Sequence, residues 1–111
     1  MTIMKSPNEV IHLSQGTEAN SFQTKHLVKS EQLEILRMML PIGKELPRHT
    51  SPADIVVQCL EGRVLFSTDD RTVELVSGDL YFLAAGRPHW VKAIEDSSLL
   101  VMRPLLRSTA L

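Results

Sequence analysis

From about residue 21 onward, the chain alternates short apolar runs with clusters of turn-forming residues. The runs recur at intervals of about 8 to 12 residues, a spacing typical of all-β barrels and sandwiches, and no stretch follows a helical period. The pattern predicts strands over residues 22–28, 33–40, 54–60, 63–67, 72–75, 79–83, 89–94 and 98–103. Because the connections are short, neighbouring strands are expected to be antiparallel.

Alternation along single strands indicates which side chains are buried. The strand over 33–40 is apolar on both sides near its end, which predicts burial between two layers. In the strand before Gly62, we assign Ile55, Val57 and Cys59 to the interior of a barrel, because they share one face. Gly62 itself stands where the chain must turn sharply, and glycine tolerates the positive φ that such a corner requires.

Residues 1–20 are mostly polar and predict an N-terminal arm, followed by one barrel domain over 21–111. The chain has 111 residues, of which 43% are hydrophobic and 23% charged, and its net charge is −1. The basic residues are scattered among acids, so no nucleic-acid partner is expected. No apolar run approaches the roughly 20 residues that span a membrane, and the N-terminus does not resemble a secretory signal. Together with the single cysteine, this predicts a cytoplasmic protein.

Two segments, residues 43–62 and 78–89, combine glycines and histidines at a recurring spacing. Gly43, His49 and Gly62 are in register with the first motif of the cupin superfamily. In the second motif, the residues in register are Gly78, Gly86 and His89. The chain therefore resembles a small single-domain cupin, and the resemblance implies an all-β fold, the double-stranded β-helix or jelly-roll barrel.

In cupins, three histidines and one glutamate from these motifs converge on a divalent metal. Only His49 and His89 match; Ser51 stands at the second histidine position and Ile55 at the glutamate position. The resemblance therefore implies at most a divalent metal such as Fe, Mn, Ni or Zn, held by His49 and His89. Two imidazoles make a weak site, since stable protein sites generally use three or four protein ligands.

A few other residues could replace the missing metal ligands or add contacts to a bound molecule. Asp54 could turn inward if a bulge followed Pro52, and His26 could approach the barrel mouth. Three basic residues flank the two histidines and could receive an anionic ligand, namely Arg48, Arg87 and Lys92. We predict a ligand pocket lined by His49, Ser51, Ile55, Val57, Cys59 and His89.

Three functions remain open from the sequence. The first is a small-molecule-binding cupin with weak or no metal; the second is a metal-dependent dioxygenase, isomerase or decarboxylase with an incomplete ligand shell. The third is a dimeric structural or regulatory module, and the family resemblance cannot choose among them. We also expect a homodimer, because Leu36, Met38 and Leu40 are assigned to an apolar outer face and the C-terminal segment is strongly apolar.

Overall fold

The structure is a computed structural model that describes residues 7–14 and 21–105. Within these ranges the chain forms nine β-strands. They are β1 (Gln23–Lys29), β2 (Leu33–Leu40), β3 (Glu45–His49), β4 (Ile55–Glu61), β5 (Arg63–Thr68), β6 (Thr72–Val76), β7 (Leu80–Leu83), β8 (His89–Ala93) and β9 (Ser97–Pro104). The described residues contain no helix capable of spanning a membrane.

The strands form two antiparallel sheets. The first contains five strands in the order β1-β2-β9-β4-β7, and the second contains four in the order β3-β8-β5-β6. Every pair of neighbours is antiparallel, as the short connections predicted. The prediction of an all-β fold is confirmed.

Strand β3 is the one element that the sequence pattern did not predict. It contains Pro47, which lacks an N–H and is tolerated in sheets mainly on edge strands. Most of its residues are exposed, so no apolar alternation marks it, and it lies at the edge of the second sheet. It pairs with β8, with an irregularity in register between Leu46 and His49. This strand places His49, which is exposed, on the wall of the cavity between the sheets.

The core lies between the sheets and is built from one face of each strand. On β4, Ile55, Val57 and Cys59 face inward and are at most 6% exposed, as alternation predicted. The remaining core residues come from both sheets and are Leu36, Leu40, Val64, Phe66, Leu75, Leu83, Val91, Ala93, Leu99 and Val101.

The assignment of Leu36, Met38 and Leu40 to an outer face was wrong. Leu36 and Leu40 belong to the core, Met38 packs against it, and the residues between them face outward instead. Both faces of β2 are largely buried, so apolarity alone could not tell the inside from the outside. Pairing with β9 decides it, because Leu36 lies opposite Val101, another core residue.

Gly62 occupies the sharp corner between β4 and β5, as the sequence predicted. Its φ is +88°, and a Cβ added there would lie 2.3 Å from both the Asp96 carbonyl oxygen and the Ser97 hydroxyl. The corner also follows an irregularity in the pairing of β4 with β9, between Cys59 and Glu61. Glycine is therefore required here both by backbone conformation and by space.

The described part of the predicted arm contacts the first sheet. Arg37, which is buried on the outer side of β2, donates a hydrogen bond from Nη1 to the Ser14 hydroxyl at 3.4 Å. Its Nε donates to the Ser98 hydroxyl at 2.8 Å. Residues 1–6, 15–20 and 106–111 lie outside the described residues, so the boundary between arm and barrel at residue 20 stays a prediction.

Candidate functional site in the barrel cavity

Strands β3 and β8 bring the two motif histidines together. His49 lies opposite His89 in the strand register, and their ring centroids are 4.1 Å apart with the ring planes at 64°. The two rings therefore meet at the cavity wall, where His89 is buried and His49 is exposed. Their contact depends on the register irregularity in β3, since regular pairing from Leu46 onward would offset the two rings.

Each histidine is oriented by a carbonyl oxygen two residues earlier in the chain. Nδ1 of His49 lies 2.8 Å from the Pro47 oxygen, and Nδ1 of His89 lies 3.0 Å from the Arg87 oxygen. A carbonyl oxygen only accepts hydrogen bonds, so Nδ1 must donate in both cases. In the neutral form of each ring, Nε2 then carries the lone pair and can accept a hydrogen bond or coordinate a cation.

His89 lies in an apolar environment that favours its neutral form. It is only 2% exposed, and its ring stacks on Phe66 with centroids 5.5 Å apart and planes at 19°. Burial lowers the pKa of His89, the hydrogen bond to the Arg87 carbonyl partly opposes this shift, and the nearby His49 adds to it. His89 is therefore a neutral acceptor at neutral pH.

The histidines line a cavity of about 270 Å³ between the two sheets. Five of the six predicted pocket residues lie on its wall: His49, Ser51, Ile55, Val57 and His89. Cys59 does not; it lies deeper in the core, with Sγ 3.4 Å from the Glu61 carbonyl oxygen. Burial raises the pKa of the Cys59 thiol, with Asp79 contributing, so the thiol stays protonated.

The remaining wall was not predicted from the sequence. It is apolar or uncharged apart from one side chain, and its residues are Leu36, Met38, Leu46, Pro47, Thr50, Pro52, Phe66, Leu99, Val101 and Arg103. Arg103 is the exception. Alternation along β9 could have indicated it, because Leu99, Val101 and Arg103 share a face.

Arg103 is held by a buried carboxylate. Its Nε donates to Glu34 Oε1 at 2.8 Å, its Nη2 donates to the same oxygen, and Glu34 is only 3% exposed. Burial acts to raise the pKa of Glu34, but the hydrogen bond and charge of Arg103, followed by the charges of Lys29 and His26, outweigh it. The pKa of Glu34 is consequently lowered, and the carboxylate is ionised at neutral pH.

The cations that flank the histidines in sequence have other partners. Arg48 pairs with Asp69 at 2.7 Å, and Arg87 pairs with Asp70 at 2.6 Å. Both aspartates belong to the hairpin tip between β5 and β6. Lys92 is exposed on β8, and none of these three cations lines the cavity.

The two residues weighed as replacement metal ligands also lie elsewhere. Asp54 is exposed and accepts a hydrogen bond from the Ala85 backbone N–H at 2.8 Å. His26 lies beside Glu34, with Nδ1 3.4 Å from Oε2 but without hydrogen-bond geometry. Neither is part of the cavity wall.

The donor set does not fit a resident metal ion. Within residues 7–14 and 21–105, no group of three or more His, Cys, Asp or Glu side chains could hold one. The hydroxyl of Ser51 and the alkyl side chain of Ile55 stand where two further ligands would be needed. Protein metal sites generally require three or four protein ligands, so two imidazoles leave the shell incomplete.

Comparison with solved structures gives the same fold. A conserved protein of unknown function from Streptococcus pyogenes is 27% identical, with a TM-score of 0.79 over 94% of this chain and 93% of that one. An RmlC-like cupin from Desulfovibrio desulfuricans is 26% identical, with a TM-score of 0.71 over 92% and 97%. A cupin superfamily protein from Desulfitobacterium hafniense DCB-2 is 17% identical, with a TM-score of 0.76 over 83% and 84%. The predicted double-stranded β-helix is thereby confirmed.

Sequence comparison identifies the family directly. No curated protein matches the chain significantly. The family model of the cupin domain, however, matches residues 36–103, a range that contains both histidines and Arg103. The chain belongs to the cupin family.

Proposed function

We propose that this protein binds a small molecule in its barrel cavity, through His49 and His89 and without a protein-held metal. One observation carries the proposal: two imidazoles, each fixed by an Nδ1 hydrogen bond to a backbone carbonyl, stand on the wall of an otherwise largely apolar cavity. Ligand sites characteristically combine apolar walls with a few convergent polar groups.

The geometry favours a ligand that donates a hydrogen bond to the histidines. Among residues 7–14 and 21–105, no group hydrogen-bonds to Nε2 of His89, and this atom is not sealed from solvent, so its lone pair is open to a donor from the cavity. A hydroxyl or N–H of the ligand would supply it, while Phe66 and the alkyl side chains enclose the apolar remainder. At about 30 Å³ for each water-sized group, the cavity has room for about nine non-hydrogen atoms.

The metal-enzyme hypothesis has less support. It requires a ligand shell that the described residues do not supply. A binding function needs only the cavity and its acceptors, both of which are formed by residues of this chain.

Cyclohexanol is a suitable probe, since it combines one hydroxyl with an apolar body of fitting size. Titration followed by the ring carbon–proton signals of the four histidines should move those of His49 and His89. His26, outside the cavity, should be unaffected and serves as the internal control. Changes at His49 and His89 that are no larger than those at His26, or no changes at all, would contradict the proposal.

We propose in addition that the outer face of the five-stranded sheet pairs two copies of the chain. Strand register places one apolar row across that face, consisting of Val28, Ile35, Met102, Val56 and Phe82. Phe82 is 63% exposed and its neighbour Leu80 is 60% exposed. The same row on a second copy would cover it in a two-fold, self-complementary interface. Sedimentation equilibrium measures this directly.

A further inference from the structure

We infer that the ligand of the cavity carries a carboxylate, which Arg103 binds, attached to an apolar body that lies toward the two histidines. This inference rests on the proposed small-molecule binding and names the chemical class of the ligand. It follows from the position, the support and the charge of Arg103.

Arg103 lies on a solvent-exposed part of the cavity wall, as does His49. It shares the inward face of β9 with Leu99 and Val101, which are buried, while its own side chain is 40% exposed. A group bound to its guanidinium would therefore sit at the mouth. The rest of the ligand would extend past the alkyl walls toward His49 and His89.

The guanidinium is fixed in orientation before any ligand binds. Glu34 holds Nε and Nη2, which restrains the plane of the group. Nη1 makes no hydrogen bond to any residue in the described ranges 7–14 and 21–105 and remains available. A donor already immobilised loses little conformational freedom on binding, which favours affinity.

The charge balance at the mouth favours an anion. The Glu34 carboxylate pairs both with Arg103 and with Lys29, whose Nζ lies 4.0 Å from Oε2. The guanidinium and the ammonium thus carry two positive charges beside the single negative charge of Glu34. The lining of the cavity contains Arg103 and no Asp or Glu. Arg48 and Arg87 pair with hairpin aspartates and lie outside the cavity, whereas Arg103 is the cation among the lining residues.

A carboxylate fits this arrangement better than a phosphate does. The planar guanidinium matches the planar carboxylate, and one cation balances one negative charge. A doubly charged phosphate would leave charge uncompensated beside apolar walls, which is costly. The small volume restricts the acid to a short chain or a single ring.

The test compares hexanoate with hexanamide, which have nearly the same shape and differ in charge. Isothermal titration at pH 7 should show hexanoate binding at least about tenfold more tightly than hexanamide, the factor that a charge-assisted hydrogen bond contributes. In Arg103→Gln this preference should vanish, whereas in Arg48→Gln, which removes a paired cation outside the cavity, it should persist. The double variant Glu34→Gln/Arg103→Gln avoids a buried unpaired carboxylate and should behave like Arg103→Gln.

The outcomes separate this inference from the function on which it rests. Equal affinity for hexanoate and hexanamide, with cyclohexanol still moving the His49 and His89 signals, would overturn the carboxylate anchor alone. A hexanoate preference that survives in the double variant would also overturn it. No binding of any of the three probes would overturn both the anchor and the proposed function.

Discussion

Replacing Arg103 by methionine should reveal the cost of leaving Glu34 without its main partner. The methionine keeps the packing of the alkyl stem but removes both hydrogen bonds to a carboxylate that is only 3% exposed. Breaking a buried ion pair costs about 3–5 kcal/mol, but Arg103 is 40% exposed and Lys29 remains near Glu34. We therefore expect the free energy of unfolding at pH 7 to fall by about 2 kcal/mol.

The assay is urea unfolding followed by the fluorescence of Trp90, the single tryptophan. Glu34→Gln/Arg103→Met is the matched control. Because this double variant removes the buried charge as well, it should recover more than half of the lost free energy of unfolding. Together with the two single variants it forms a cycle that gives the interaction energy between Glu34 and Arg103.

The same loss should depend on pH with a defined sign. The pKa of Glu34 is lowered in the folded protein, so its contribution is present above the ordinary carboxyl pKa of 4.5 and is lost as pH falls through the folded value. In Arg103→Met, burial is no longer offset by the arginine, so the pKa of Glu34 should rise and acidification should protonate it. The stability difference between the parent and this variant should then shrink as pH falls from 7 toward 4. A loss below about 0.5 kcal/mol, or one independent of pH, would refute this account.

Three further substitutions test other parts of the structure. Gly62→Ala should lower the free energy of unfolding by about 3 kcal/mol or more, because backbone strain and a clash of the new Cβ with backbone atoms combine. Gly78→Ala, with φ of +95° but open space around the added Cβ, should lower it by only about 1 kcal/mol. Equal losses for the two variants in thermal or urea unfolding would contradict the described corner at Gly62. Phe82→Lys should shift sedimentation equilibrium from dimer to monomer without lowering stability, and an unchanged mass would exclude the proposed sheet-to-sheet interface. Ser51→His combined with Ile55→Glu should complete a four-ligand shell and raise the melting temperature in Zn²⁺ well above any shift in the parent, and no gain would show that these positions do not converge.

Sequence reasoning recovered what depends on local pattern. Alternation around Val57 and Cys59 located the interior of β4, and glycine spacing located the corner at Gly62. The positions of His49 and His89 in the two motifs predicted that these side chains would be neighbours, because the motif segments lie side by side in a barrel of this kind.

It failed where the answer depends on which strands are neighbours. Strand β3 was missed because Pro47 and exposed polar residues hide an edge strand whose hydrogen bonds come from β8. Leu36 was placed outside because both faces of β2 are apolar. Arg103 was overlooked because its role depends on Glu34, a residue 69 positions away in the chain.

In the proposed site, His49 and His89 present Nε2 lone pairs to a ligand in the cavity. Long-range proton–nitrogen correlation of the histidine rings at pH 7 measures this arrangement, because it distinguishes protonated from unprotonated ring nitrogens. In the neutral form of both rings we expect Nδ1 protonated and Nε2 unprotonated, and we expect cyclohexanol to shift both Nε2 signals by donating to them. Unprotonated Nδ1 atoms, or Nε2 signals that do not respond to the probe, would contradict the account.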